Sequence, residues 1–487
     1  MRGRHKQRGT QMDTSSKTDL RRGSIGVAHI VFFVVAAASP LTAVVGVSPA
    51  AFALGNGAGV PGTFLLVGLL YLIFSVGFTT MNRFIGSAGG FYSYIANGLG
   101  RQAGVAGAFI ALATYNAIDI AVYGLFGFFV SDIVKTFGGP DLPWIVYSIL
   151  LGIAVFLCGM RNIEFSGKVL GYCMIAEIAI LALLGFAILM SGGGAEGISF
   201  SSFSMDQIFA SGLGVALVFV VSSFIGFEAT AIFGEEARDP KKTIPRATYL
   251  SVIIIAVFYA FVTWTVTLHY GPANIVAEAS NNTATLYLSA VQAKLGHAAG
   301  VVMNLLLISS LFACALSFHN TINRYFYAIG REGVAWSGLA LTHAKHQSPY
   351  VAGMIQTVVA LAVTIAFAVF GQDPYAVVFA WTGTFASLGI LVLQILVSIA
   401  VIGFFVRDGR NTTLWHRLIA PALSAAGLGV CLLLMVLNLS LVSGSNSLVV
   451  DSFPIMIAVI GLGGFAFATW MRSARPGIYD NLGRAFS

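Results

Sequence analysis

Charge is what this sequence has least of. Asp, Glu, Lys and Arg make up 9% of its 487 residues, where a soluble globular protein carries about 25%. With 57% of the chain hydrophobic, a soluble core of this size would lack polar surface to stay dispersed. Cysteine is also scarce. The four, Cys158, Cys173, Cys314 and Cys431, lie in apolar runs without metal-ligand spacing, which argues against a disulfide framework or a zinc site. They read as small core residues. The chain has no glycine-rich loop ending in Gly-Lys-Ser or Gly-Lys-Thr, so ATP-driven pumping is disfavoured. Zincin and serine-hydrolase motifs are missing too, and no enzyme, metal or cofactor is expected.

What remains is long hydrophobic runs. A helix needs about 20 mainly apolar residues to cross a bilayer. Such stretches fall near 26–54, 61–82, 104–133, 143–160, 165–190, 207–235, 246–270, 298–329, 349–370, 374–404, 415–438 and 450–471. Breaks such as GNGAG after the first, GGPDLP before the fourth and SGGGAEG after the fifth separate them. The expectation is an all-α integral membrane protein with twelve spans. The first apolar stretch is too long for a signal peptide and reads as a retained helix.

The basic residues check the count. With the amino terminus inside, only Lys135 and Lys294 of the 26 Lys and Arg fall in outer loops. The positive-inside rule thus fits twelve spans with both termini cytoplasmic. The formal net charge of +7 then reflects attraction to anionic lipid at the inner leaflet, not nucleic-acid binding. Residues 1–24 form a basic tail, 25–472 one transporter-like domain and 473–487 a second tail.

Two spans look interrupted. Span one contains AAASPLTAVVGVSP, with Pro40, Gly46 and Pro49; span six contains SSFIGFEA, with Gly226. They lie five spans apart, as in folds built from two inverted five-helix repeats with the binding site between the broken helices. The repeats would cover about 25–191 and 205–405, with two extra helices at about 415–472. A break frees backbone N–H and C=O groups, tolerated in lipid only where they line a cavity or find partners. The plainer alternative is a proline kink that serves packing.

The acidic residues well inside spans are Asp119, Glu177 and Glu228. An Asp at a helix centre costs roughly 2.5–3.5 kcal/mol on insertion scales. No Lys or Arg sits at matching depth, so protonation is the inexpensive way to keep such a group. A carboxyl facing a cavity could load and unload a proton as the cavity opens; a merely structural one would hydrogen-bond a neighbouring helix. Tyr115 and Asp119 are an i,i+4 pair on one helix face, with Thr114 adjacent. Phe224 and Phe227 bracket Gly226.

At this point two stretches resemble the amino acid–polyamine–organocation superfamily. GSAGGFYSYIANGLGR at 86–101 is similar to that family's turn after span two, and FIGFEATAIFGEEARDPKKTIPRA at 224–247 to its span-six signature. The resemblance implies a leucine-transporter-like fold with spans one and six unwound at the substrate. It implies that the backbone of Ile225, Gly226 and Phe227 receives the substrate amine, with Phe224 beside it. By the same resemblance Thr114, Tyr115 and Asp119 line the substrate side chain. Glu228 matches the glutamate after the break and, with Glu177, is the candidate for proton coupling. Span one departs from the family: Ser39, Pro40, Leu41 and Thr42 stand where a Gly-Ser-Gly stretch usually cups the substrate carboxylate. Ser222 stands where some exchangers carry a gating tryptophan.

The expectation is a secondary transporter in the cytoplasmic membrane. Its partners would be an amino acid or amine, protons and lipid. The alternatives are a polyamine permease or an antiporter and, from other classes, a channel or membrane sensor. No repeated filter that would favour a channel is found.

Overall fold

The computed structural model describes residues 26–85, 90–160, 163–235, 237–343, 346, 348–407, 412–442, 447–480 and 482. The basic tail at 1–24, residues 86–89 of the GSAGG motif and most of 481–487 lie outside the described residues. The rest is helix almost throughout. Span one is two pieces, α1 (Val27–Ala38) and α2 (Thr42–Leu54). Then come α3 (Val60–Ile85), α4 (Gly90–Leu99), α5 (Arg101–Thr136), α6 (Trp144–Met160) and α7 (Ile163–Met190). Span six is α8 (Leu213–Ser222) followed by a tighter 3-10 segment, Phe227–Glu235. The second half continues with α9 (Pro240–Tyr270), α10 (Ile275–Asn281), α11 (Leu286–Leu295) and α12 (His297–Arg331). It closes with α13 (Tyr350–Val369), α14 (Pro374–Val406), α15 (Trp415–Leu437) and α16 (Phe453–Ala474).

Among the described residues, 10 helices are long and apolar enough to cross a membrane. Thr42–Leu54 and Trp144–Met160 are apolar but shorter. Without water, backbone groups must be satisfied within the protein, which selects helices. The outward faces are apolar as well: Val459, Leu462 and Phe465 of α16, and Leu183 and Phe186 of α7, are exposed. These are surfaces suited to lipid.

The inner core is built by close approach. A Cβ on Gly98 would lie 2.1 Å from the Ala400 carbonyl oxygen, so α4 meets α14 backbone to backbone. A Cβ on Gly68 would lie 2.3 Å from the Ala256 Cβ, and α3 packs along α9 there. Such small residues let helices associate where lipid supplies no hydrophobic drive. Helix α5 is the central post, contacting α12, α14 and α16.

Three local features differ from the sequence expectation. The connection after span two contains α4, whose Phe91, Tyr92 and Tyr94 are buried. Tyr94 stacks on Phe78 at 4.6 Å and donates to Asn82 Oδ1 at 3.0 Å. Its glycines read as a turn, but the burial of its aromatics holds it helical. The sixth span begins at Leu213, not near 207. Gly212 takes φ 92°, ending a short turn capped by Ser204, whose side chain accepts from the Gln207 N–H. Hydropathy alone does not register that break. The connection after α9 folds into α10 and α11, and α10 packs against α2.

Candidate binding site at the two helix breaks

Pro40 has no N–H and its ring disfavours a continuous helix. Ser39, just before it, is the one non-glycine residue with positive φ (44°) among the described residues. Helical bonds resume on both sides, with Ser39 N–H on the Val35 oxygen at 3.0 Å and Ala43 N–H on the Ser39 oxygen at 2.9 Å. Other helices meet the groups left between. The Tyr259 hydroxyl donates to the Ala38 carbonyl at 3.1 Å. The Leu41 N–H donates to Glu177 Oε2 at 3.4 Å, and the Thr42 N–H to Ser310 Oγ at 3.2 Å. Ser310 in turn donates to Glu177 at 2.7 Å. Glu177 thus sits at the amino-terminal end of α2, where a helix favours negative charge.

In span six the helix ends at Ser222, and residues 223–226 form turns. Gly226 takes φ 115°, a conformation that favours glycine because a Cβ would clash with the backbone. The freed Gly226 N–H donates to Glu228 Oε2 at 3.0 Å. The other oxygen, Oε1, accepts from the Tyr115 hydroxyl at 2.6 Å. Glu228 therefore links the break to span three. The Tyr115 ring lies 5.5 Å from Tyr325 and 6.4 Å from Phe318.

Between the breaks lies a narrow cavity of about 30 Å³. That is room for one or two waters, not for a substrate. Its wall includes Thr42 and Val47 of α2, Ile118 and Val122 of α5, and Ile225. Ser222 and Phe379 also reach it.

Thr42 and Ile225, of the residues expected at the substrate, line this cavity. Ser39, Pro40 and Leu41 are buried at the break itself. Phe224 and Phe227 turn away from it. Phe224 lies against Phe64 at 6.3 Å and Tyr71 at 5.2 Å, and Phe227 against Tyr71 at 4.8 Å and Phe74 at 6.0 Å. They tie span six to α3 through aromatic packing. Thr114 faces α14, its hydroxyl oxygen 2.1 Å from where a Cβ on Gly389 would be. Asp119 is fully buried, and its Oδ2 accepts from Gln356 Nε2 at 2.6 Å.

Several residues of the site were not singled out from sequence. Ser310 and Tyr259 satisfy the break in span one, and Gln356 and His319 accompany Asp119. The available signal was the same as for the carboxylates: a polar or titratable side chain within a membrane-length apolar run.

The amino acid permease family model matches residues 29–477. Among similar proteins is the gamma-aminobutyric acid permease of Bacillus subtilis (strain 168), 25% identical over 58% of this chain and 59% of that protein. The low-affinity putrescine importer PlaP of Escherichia coli (strain K12) is 22% identical over 72% of this chain and 74% of its own length. The serine/threonine exchanger SteT of Bacillus subtilis (strain 168) is 25% identical over 61% of this chain and 66% of that protein. The chain thus spans less than two thirds of the first of these relatives. A multi-pass helical protein with two broken spans, matched by one family model over nearly its whole length, belongs to the amino acid permease family.

Proposed function

We propose that this protein is a secondary active transporter of amino acids or related amines in the cytoplasmic membrane, driven by protons through alternating access. One observation carries the reading. Glu228, buried in an apolar bundle, holds both the freed Gly226 N–H and the Tyr115 hydroxyl. A carboxyl so placed joins the break in span six to the helix that lines the cavity. Closed, the site disfavours charge; opened to water, it favours the anion. Substrate occupancy and protonation then become coupled free energies.

The similar proteins are named for gamma-aminobutyric acid, putrescine, and serine and threonine. Their common chemistry is an amino group, which supports an amine-bearing substrate. Counting α1 with α2 as one broken span, and the shorter continuous helix α6 as a further span, brings the ten long helices to a total of twelve. A 5+5 inverted repeat with both termini cytoplasmic fits that count and the distribution of basic residues. Glu177, which caps α2 and accepts from the Leu41 N–H and Ser310 through Oε2, is the second candidate for the proton site.

The test is Glu228→Gln in proteoliposomes. Glutamine keeps the shape and does not titrate; its oxygen can accept from the Gly226 N–H while its NH2 donates to the Tyr115 hydroxyl oxygen. Counterflow exchange is expected to persist while accumulation driven by a pH gradient is lost. Normal accumulation with unchanged pH dependence overturns the assignment. Collapsing the proton gradient in the wild type separates proton-driven uptake from substrate–product antiport.

A further inference from the structure

A second buried polar chain lies on the flank of the cavity, away from Glu228. It runs through three helices: Asp119 of α5, Gln356 of α13 and His319 of α12. All three side chains are at most 1% exposed. Gln356 Nε2 donates to Asp119 Oδ2 at 2.6 Å. Its Oε1 is bonded to His319 Nδ1 and accepts from the Thr357 hydroxyl at 3.4 Å. Asp119 Oδ1 has no partner among the described residues.

We infer that Asp119, Gln356 and His319 form a proton-holding unit that binds and releases one proton as a pair, independently of Glu228. The argument starts from charge. The titratable groups facing Asp119 are Tyr123 of its own helix and Cys314 of α12. His319 faces Gly159 of α6, which the Asn320 amide also approaches, and Gly353 of α13, which the Asn323 amide also approaches. Among the described residues, no cationic side chain acts on the acid and no anionic one on the imidazole. A lone charge on either would be uncompensated inside the membrane, which is costly.

Two arrangements avoid that. In one, Asp119 is the neutral acid and His319 the neutral imidazole. In the other, Asp119 is the anion and His319 the imidazolium, with the amide between. Both contain the same number of protons and no net charge. Gln356 makes the two ends interdependent. While its NH2 group donates to Asp119, its oxygen accepts, so His319 Nδ1 carries a hydrogen. An amide turned over would instead accept a hydrogen bond from the O–H of the neutral acid and donate one to a bare Nδ1. Loss of one proton to water leaves the unit with a single negative charge. Ile118, Ala121 and Val122 beside Asp119 line the cavity, as does Cys314, so opening the cavity is the route by which that proton reaches water.

The inference does not need transport, or Glu228, to titrate. It is tested by pH-difference infrared spectroscopy of the purified full-length protein, reading the stretch of protonated carboxyl groups. One titrating carboxyl band is expected to vanish in Asp119→Asn and to persist in Glu228→Gln. Its midpoint is expected to move by about one pH unit or more in His319→Gln and in Gln356→Met, as for two sites that titrate together. A structural hydrogen-bond chain would lose stability in these variants without moving a midpoint. A band unaffected by Asp119→Asn, or a midpoint unchanged in both His319→Gln and Gln356→Met, overturns the inference.

Discussion

Replacing Tyr115 by phenylalanine removes one oxygen and little else. The ring keeps its places beside Tyr325 and Phe318, 5.5 and 6.4 Å away. What disappears is the donor to Glu228 Oε1 at 2.6 Å, together with the hydroxyl's hydrogen bond to Tyr325. An O–H donor binds an anionic carboxylate more strongly than a neutral acid. Such a bond contributes about 1.5–3 kcal/mol with a charged group and about 0.5–1.5 kcal/mol with a neutral one. The difference, about 1–1.5 kcal/mol, is the penalty that Tyr115→Phe places on the anion. Since 1.36 kcal/mol corresponds to roughly one pH unit, Glu228 should require a higher pH to release its proton. The pH profile of uptake into proteoliposomes should move by about one unit to the alkaline side, with counterflow retained. A profile that stays put, or moves to the acid side, refutes a proton-coupling role for Glu228 through this bond.

Two other substitutions address the breaks themselves. Gly226→Leu places a side chain at φ 115°, a strain of about 1–3 kcal/mol; uptake should be abolished while membrane insertion, judged by yield and monodispersity in detergent, persists. Near-normal transport would remove the reason for placing the site there. Tyr259→Phe leaves the Ala38 carbonyl without its 3.1 Å donor. An unsatisfied buried acceptor costs about 1–3 kcal/mol, so the melting temperature in detergent should fall. An unchanged melting temperature would mean that the break in span one is satisfied by other means.

Membrane residence, the positions of the long helices and the two breaks were legible in the residues. These depend on local properties: hydropathy over about 20 residues, the missing N–H of Pro40 and the φ 115° adopted by Gly226. The cost of a buried charge is local too, so Asp119, Glu177 and Glu228 stood out. The helix α4 did not, because its glycines resemble a turn and only its buried aromatics make it helical.

Partner choice belongs to the tertiary structure. Glu228 meets Tyr115 across 113 residues, Leu41 meets Glu177 across 136, and Asp119 meets Gln356 across 237. Phe224 and Phe227 stood beside Gly226 in sequence, yet they pack on α3 and leave the cavity wall to Ile225. Hydropathy is uniform around a membrane helix, so it carries little information about rotation. Which face turns inward is decided by close packing between helices, and that in turn fixes which polar groups can reach one another.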